Sequence, residues 1–177
     1  MTAEELIRLP NDPAGYRHEL VAGHLKKVPF GGFIHGRCTA QLLASLGNHV
    51  RQHHLGAVCA PDTGFMLERS PDTVLAPDVS FVRAELVEDS DDFGPFAPDL
   101  AVEVLSAFDR ASEMSFKISQ YLRAGTRAVI VVDPAKRTVY VNRASGADMV
   151  TTIAGEFLEV DDVVPGWKMP LSEIFVR

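Results

Sequence analysis

The stretch DLAVEVL, residues 99–105, holds a glutamate inside an otherwise apolar run. As a strand it turns Leu100, Val102 and Val104 to one face and Asp99, Ala101, Glu103 and Leu105 to the other. Burying a lone carboxylate costs several kcal/mol, so Glu103 needs compensation. A partner Arg or Lys, a bound proton, or a divalent cation would each supply it. Asp78 follows Pro77 at the start of a second strand-like run, APDVSFVR, on a face that can meet Glu103 across neighbouring strands. By itself Asp78 also reads as a turn or strand-cap residue. Together the two carboxylates are hard oxygen donors suited to Mg²⁺ or Mn²⁺, with water completing the octahedron. Lys117 is the third candidate. It sits at the edge of the apolar stripe Met114, Ile118, Tyr121 and Leu122, where its stem can run along the core surface toward the sheet. Glu113, four residues earlier, offers it a plain surface ion pair instead.

The elements that must position these residues follow from pattern. Thr2 and Glu5 form a capping box, predicting a short helix over about 3–9. HELVAGHLKKVPF reads as a hairpin with strands at 17–21 and 24–29 around Ala22–Gly23. Ile34, Cys38, Leu42, Leu46 and Val50 recur at helical spacing, predicting a long helix over about 34–54 that Gly56 stops. AVCAP and GFMLER read as strands around Asp62–Thr63, and the acidic, Pro- and Gly-rich residues 85–98 as a surface loop. After DLAVEVL, Asp109 or Ser112 can cap a helix running to Gly125. RAVIVVD is apolar throughout, as a buried central strand is. TVYVNR and DMVTTI suggest a closing meander of edge strands, and Trp167 with LSEIFV a packed tail. The fold class is therefore mixed α/β, with a βαβ unit over 99–132.

The length of 177 residues suits one domain over 1–177. No run approaches the roughly 18 apolar residues of a membrane span, and MTAEELIRLP lacks a secretory pattern, so a cytoplasmic protein is expected. Cys38 and Cys59 make neither a disulfide framework nor a metal spacing. The formal net charge of −7 argues against broad electrostatic attraction to nucleic acid, though bound cations can change a local field. His49 and His53 are four apart, but no Glu follows His49 as a metalloprotease helix requires, and a solvated helix face is the simpler reading. Lys26, Lys27, Arg37 and Arg51 could form a basic patch for phosphates or be scattered solubilising charges.

HELVAGHL, His35–Gly36, APDVSFV, DLAVEVLS, Asp109 followed by Lys117, and VIVVDP occur in that order over nearly the whole chain. In this ordered set the sequence resembles the Uma-two family, a bacterial branch of the PD-(D/E)XK restriction-endonuclease superfamily. The resemblance implies a restriction-endonuclease-like fold, a mixed sheet flanked by helices with an N-terminal hairpin and a C-terminal meander. It also implies a Mg²⁺- or Mn²⁺-dependent site acting on DNA. Asp78 matches the first acid of the superfamily and Glu103 the second. The usual lysine position, two residues on, is Leu105 here, and Lys117 would replace it. Glu19 matches an acid that family members carry near the N-terminus and would complete the metal shell. His35 lies in a family motif and could contact substrate; capping or packing is the simpler role. Two departures stand out: VAGH where VDGE is frequent, and Ser106–Ala107–Phe108–Asp109 where SPSD is frequent. The function implied is a Mg²⁺-dependent DNA endonuclease, a homodimer because a duplex has two strands to cut. A catalytically inactive binding or assembly module on the same fold is the alternative, and a hydrolase of another phosphate ester a third reading.

Overall fold

Thr2 and Glu5 bond each other's backbone N–H groups and open α1 (Ala3–Leu6). The helix is one turn long rather than the expected seven residues, because Ile7 already caps it and the approach to Pro10 disfavours helical geometry. The computed structural model describes all residues except 11, 108, 152–155, 176 and 177. β1 (Arg17–Val21) and β2 (His24–Val28) form the expected hairpin, turned at Ala22 and Gly23 with φ of 48° and 76°. Positive φ at both turn residues matches the twist of the strands.

α2 (Phe33–Gln52) buries Cys38, Leu42, Leu46 and Val50, the stripe its spacing predicts. Gly56 does not stop it. His53 caps the helix, and His54 takes the left-handed turn at φ 53°. Gly56 instead opens β3 (Gly56–Cys59), where a Cβ would overlap the Val82 carbonyl oxygen. β4 (Phe65–Glu68), β5 (Thr73–Leu75), β6 (Val79–Arg83) and β7 (Leu100–Val104) follow. α3 (Ala111–Arg123) then leads to β8 (Ala128–Asp133), β9 (Thr138–Arg143) and β10 (Gly146–Thr151). β11 (Phe157–Glu159), β12 (Lys168–Pro170) and α4 (Leu171–Ile174) close the chain.

α3 has no side-chain cap. The Asp109 carboxylate turns back to accept the Ser106 N–H, which closes the loop after β7 and takes it away from the helix end. Ser112 lies within the first turn.

The strands make two main sheets. One runs β2-β1-β5-β4, the other β10-β9-β8-β7-β6-β3, and β11 and β12 pair separately. β3 and β4 are neighbours in sequence yet join different sheets, β3 pairing with β6 and β4 with β5, with Asp62 at φ 72° in the turn between them. β7 and β8 are parallel with α3 as their crossover; the other pairs of the large sheet are antiparallel. β9 is interior rather than an edge, because β10 covers its outer side. One face of the large sheet packs Val79, Phe81, Leu100, Val102 and Val104 against α2 and the C-terminal Trp167, Met169 and Leu171. The Trp167 indole donates to Ser45 Oγ at 3.2 Å. The other face carries Ala101, Val129 and Val131 beneath Met114 and Tyr121 of α3.

Candidate active site

The register of β6 against β7 pairs Val79 with Val102, Ser80 with Ala101 and Phe81 with Leu100. One step beyond the ladder sets Asp78 beside Glu103, on the face opposite the α2 core. Both are buried, and so is Glu19, on β1 of the smaller sheet. All three line a single cleft of about 230 Å³, with Lys117, His35, Arg17, Lys26 and Lys27.

Each carboxylate is held through one oxygen. Asp78 Oδ2 accepts the Val104 N–H at 2.8 Å and lies 3.1 Å from His35 Nε2. Glu103 Oε1 accepts the Tyr121 hydroxyl at 3.0 Å and the Lys117 ammonium at 3.4 Å. Glu19 Oε1 accepts Lys117 at 2.8 Å and the Ala76 N–H at 3.3 Å. Among the described residues no donor reaches Asp78 Oδ1, Glu103 Oε2 or Glu19 Oε2. Lys117 thus joins the two sheets. Its partners are Glu19 and Glu103, and Glu113 is not among them.

The electrostatics follow from three buried acids around one ammonium. Burial pushes the Glu103 carboxyl up to about 7; Lys117 opposes the rise, while Asp78 and Glu19 add to it. Burial alone would lower the Lys117 ammonium, but the charges of Glu103 and Glu19 outweigh it and hold it above its usual value. The Tyr121 hydroxyl is pushed well up by burial and by Glu103. His35 is raised, first by its hydrogen bond to Asp78.

Tyr121 is the residue that pattern reading missed. Its place in the apolar stripe is real, since it is fully buried. A buried tyrosine still needs a partner for its hydroxyl, and one turn from Lys117 that partner is Glu103. The basic residues divide: Lys26 and Lys27 reach the cleft, whereas Arg51 bonds Asn48 at 2.8 Å on α2. The rings of His49 and His53 lie with centroids 4.5 Å apart and planes tilted by 40°, and His49 Nε2 lies 2.9 Å from the Pro165 carbonyl.

A model of the Uma2 family, described as "Putative restriction endonuclease", matches residues 3–172. The chain belongs to this family. Its fold is similar to that of a "putative nuclease belonging to DUF820" from Anabaena variabilis ATCC 29413, with a TM-score of 0.81 over 99% of this chain and 97% of that one. At 17% identity that likeness is one of fold. Among curated proteins no significant match was found. The mixed α/β architecture is thus that of a nuclease-fold protein of the Uma2 family. Among the described residues no helix is long and apolar enough to cross a membrane.

The cleft of this Uma2 protein offers oxygen donors of the type a divalent cation takes. Among the described residues no group of three or more acidic, imidazole or thiol side chains is arranged to hold a metal ion together. Lys117 stands between two of the acids. Mg²⁺ does not need such a group, since it keeps several waters and binds through one or two carboxylates. The uncommitted oxygens of Asp78 and Glu103, neighbours across β6 and β7 in one cleft, fit that mode.

Proposed function

We propose that the protein is a Mg²⁺- or Mn²⁺-dependent endonuclease that hydrolyses DNA phosphodiester bonds in the cytoplasm. The observation that carries this reading is the trio of buried carboxylates, each fixed through one oxygen with the other left to the cleft, beside a lysine ammonium. Asp78 and Glu103 would hold the cation with water, and Glu19, now bonded to Lys117, would complete the shell. When bound, it supplies polarisation of a phosphate oxygen and a lowered pKa for water. Lys117 presents its ammonium where charge develops on the phosphate, and its two carboxylate partners keep it protonated. Tyr121 fixes the rotamer of Glu103, and the Val104 N–H with His35 fixes that of Asp78. A homodimer would set two clefts on the two strands of a duplex.

The Lys117 bridge from Glu19 to Glu103 favours a second reading. A site already neutralised in part by its own ammonium can serve a non-catalytic binding module on the same fold. Incubation with linear and circular DNA across a Mg²⁺ and Mn²⁺ titration separates the two. Metal-dependent cleavage that is lost in Asp78→Asn and Lys117→Ala supports the nuclease. Absence of cleavage at every metal concentration supports the module.

A further inference from the structure

Five aromatic side chains are exposed among the described residues: Phe116 lines the cleft, Tyr16 and Phe30 line a neighbouring hollow that shares Arg17, Glu19, Val28 and Leu75 with it, Phe33 opens α2 two residues before His35, and Phe157 lies on β11. Phe33 is 87% and Phe30 69% exposed, values that nothing in the fold's own packing explains. Two of the first four rings carry ammonium groups. Lys26 Nζ stands 5.8 Å from the Phe116 centroid and Lys27 Nζ 5.5 Å from that of Tyr16. The Phe30 ring lies over Gly15, leaving no room there for a Cβ. Lys26 is directly opposite Glu19 in the hairpin, so ring, cation and candidate metal ligand follow one another along one wall.

We propose that this aromatic and basic rim takes an unpaired polynucleotide strand, its bases stacked on the rings and its phosphates led toward the carboxylates by Lys26, Lys27 being paired with Asp12 at 2.6 Å. The inference rests on the metal-dependent nuclease reading above and replaces the duplex and the homodimer of that reading with a single unpaired strand. In a duplex the bases stack on each other and leave no faces for protein rings; an unpaired strand offers a face at every base. The net charge of −7 weakens long-range attraction for any polynucleotide, whereas stacking is not opposed by charge. The buried acids also favour a slender substrate, since the phosphate must descend into a cleft of about 230 Å³. A second copy of the chain is a poorer occupant. A two-fold contact would press Lys26 and Lys27 of one molecule toward those of the other. A cleft that takes one strand also needs no second subunit for cutting.

The test measures fluorescence anisotropy of a labelled oligothymidylate and of a blunt duplex of equal length, in EDTA and again in Ca²⁺. The wild-type protein is expected to bind the unpaired strand at least tenfold more tightly. Phe30→Ala/Phe33→Ala should remove about fivefold or more of that affinity, within the range for stacked bases, and Phe33→Trp should retain it. Both positions are exposed, so the fold should survive; Phe116→Ala provides an independent variant. Equal affinity for both forms, or no effect of the aromatic variants, overturns the inference. A wild-type dimer by light scattering that the double variant dissolves also overturns it, assigning the rim to a second copy. Cleavage of both forms without strand preference keeps the nuclease and discards this inference. Strand-selective binding that depends on the rings, without cleavage in any metal, does the reverse.

Discussion

The strands β6 and β7 have two faces built to different ends. Toward α2 they show Val79, Phe81, Leu100, Val102 and Val104, all essentially sealed from water within one large apolar cluster. Toward the cleft, one residue out of step, they show Ala101 and Glu103, and Asp78 stands at the edge of the ladder. The apolar face stabilises the sheet and imposes its alternation. The cleft face uses that alternation to hold two carboxylates side by side, an arrangement that is unfavourable by itself. The difference explains why acids so poorly solvated are tolerated: a ladder anchored from behind over-determines their position.

The contrast can be broken most forcefully from behind. Leu100→Ala should cost about 2–5 kcal/mol of stability in urea unfolding. Glu103→Gln, in metal-free protein above pH 7, should leave stability unchanged or slightly raised. If the glutamine variant were instead the more damaging, the cleft face would be the structural one.

Metal sharpens the comparison next. Mn²⁺ at a hundredfold excess over its Kd should add about 2.7 kcal/mol to the wild-type protein. In Glu103→Gln it should add far less. Melting curves in EDTA and in Mn²⁺ measure both. A wild-type curve unmoved by Mn²⁺ would make the site an ion cluster complete without metal.

A pH dependence should accompany this. The folded protein raises Glu103 from an ordinary 4.5 to about 7, so over that interval the folded state binds more protons than the unfolded chain. The contribution of this group to stability is fully present below about pH 4.5 and is lost as pH rises to about 7. Glu103→Gln should flatten the slope in EDTA. A slope that persists unchanged in the variant would trace it to other groups.

The smaller effects test the supports. Tyr121→Phe removes one buried hydrogen bond and should cost about 0.5–1.5 kcal/mol. Glu113→Ala should change stability by no more than about 0.5 kcal/mol, because Lys117 is engaged elsewhere. A larger loss on removing Glu113 than on removing the Tyr121 hydroxyl would reverse the ranking.

Much of this was legible in sequence where period decides and illegible where neighbours decide. Alternation shows which face Glu103 takes, and helical spacing sets Lys117 at the edge of its stripe. Neither reveals that the nearest acid to Lys117 is Glu19, 98 positions away and in another sheet. Period likewise cannot say that β3 and β4 part company, because pairing partners leave no trace in either strand. β5, β11 and β12 have three residues each, too few to carry a pattern. Gly56 misled as a helix stop because the same freedom of φ serves a close strand approach.

The bridge from Lys117 to Glu19 and Glu103 has a consequence in time. Its ends lie far apart along the chain, so the ordering entropy of a long loop must be met before the contact gives anything back. During synthesis Glu19, Asp78 and Glu103 all emerge ahead of Lys117. Until α3 has folded across β7 and β8, the acids have no common ammonium and repel one another. Whatever chemistry the cleft performs is therefore withheld from the nascent and the partly folded chain, and begins only when the last of its distant parts has docked.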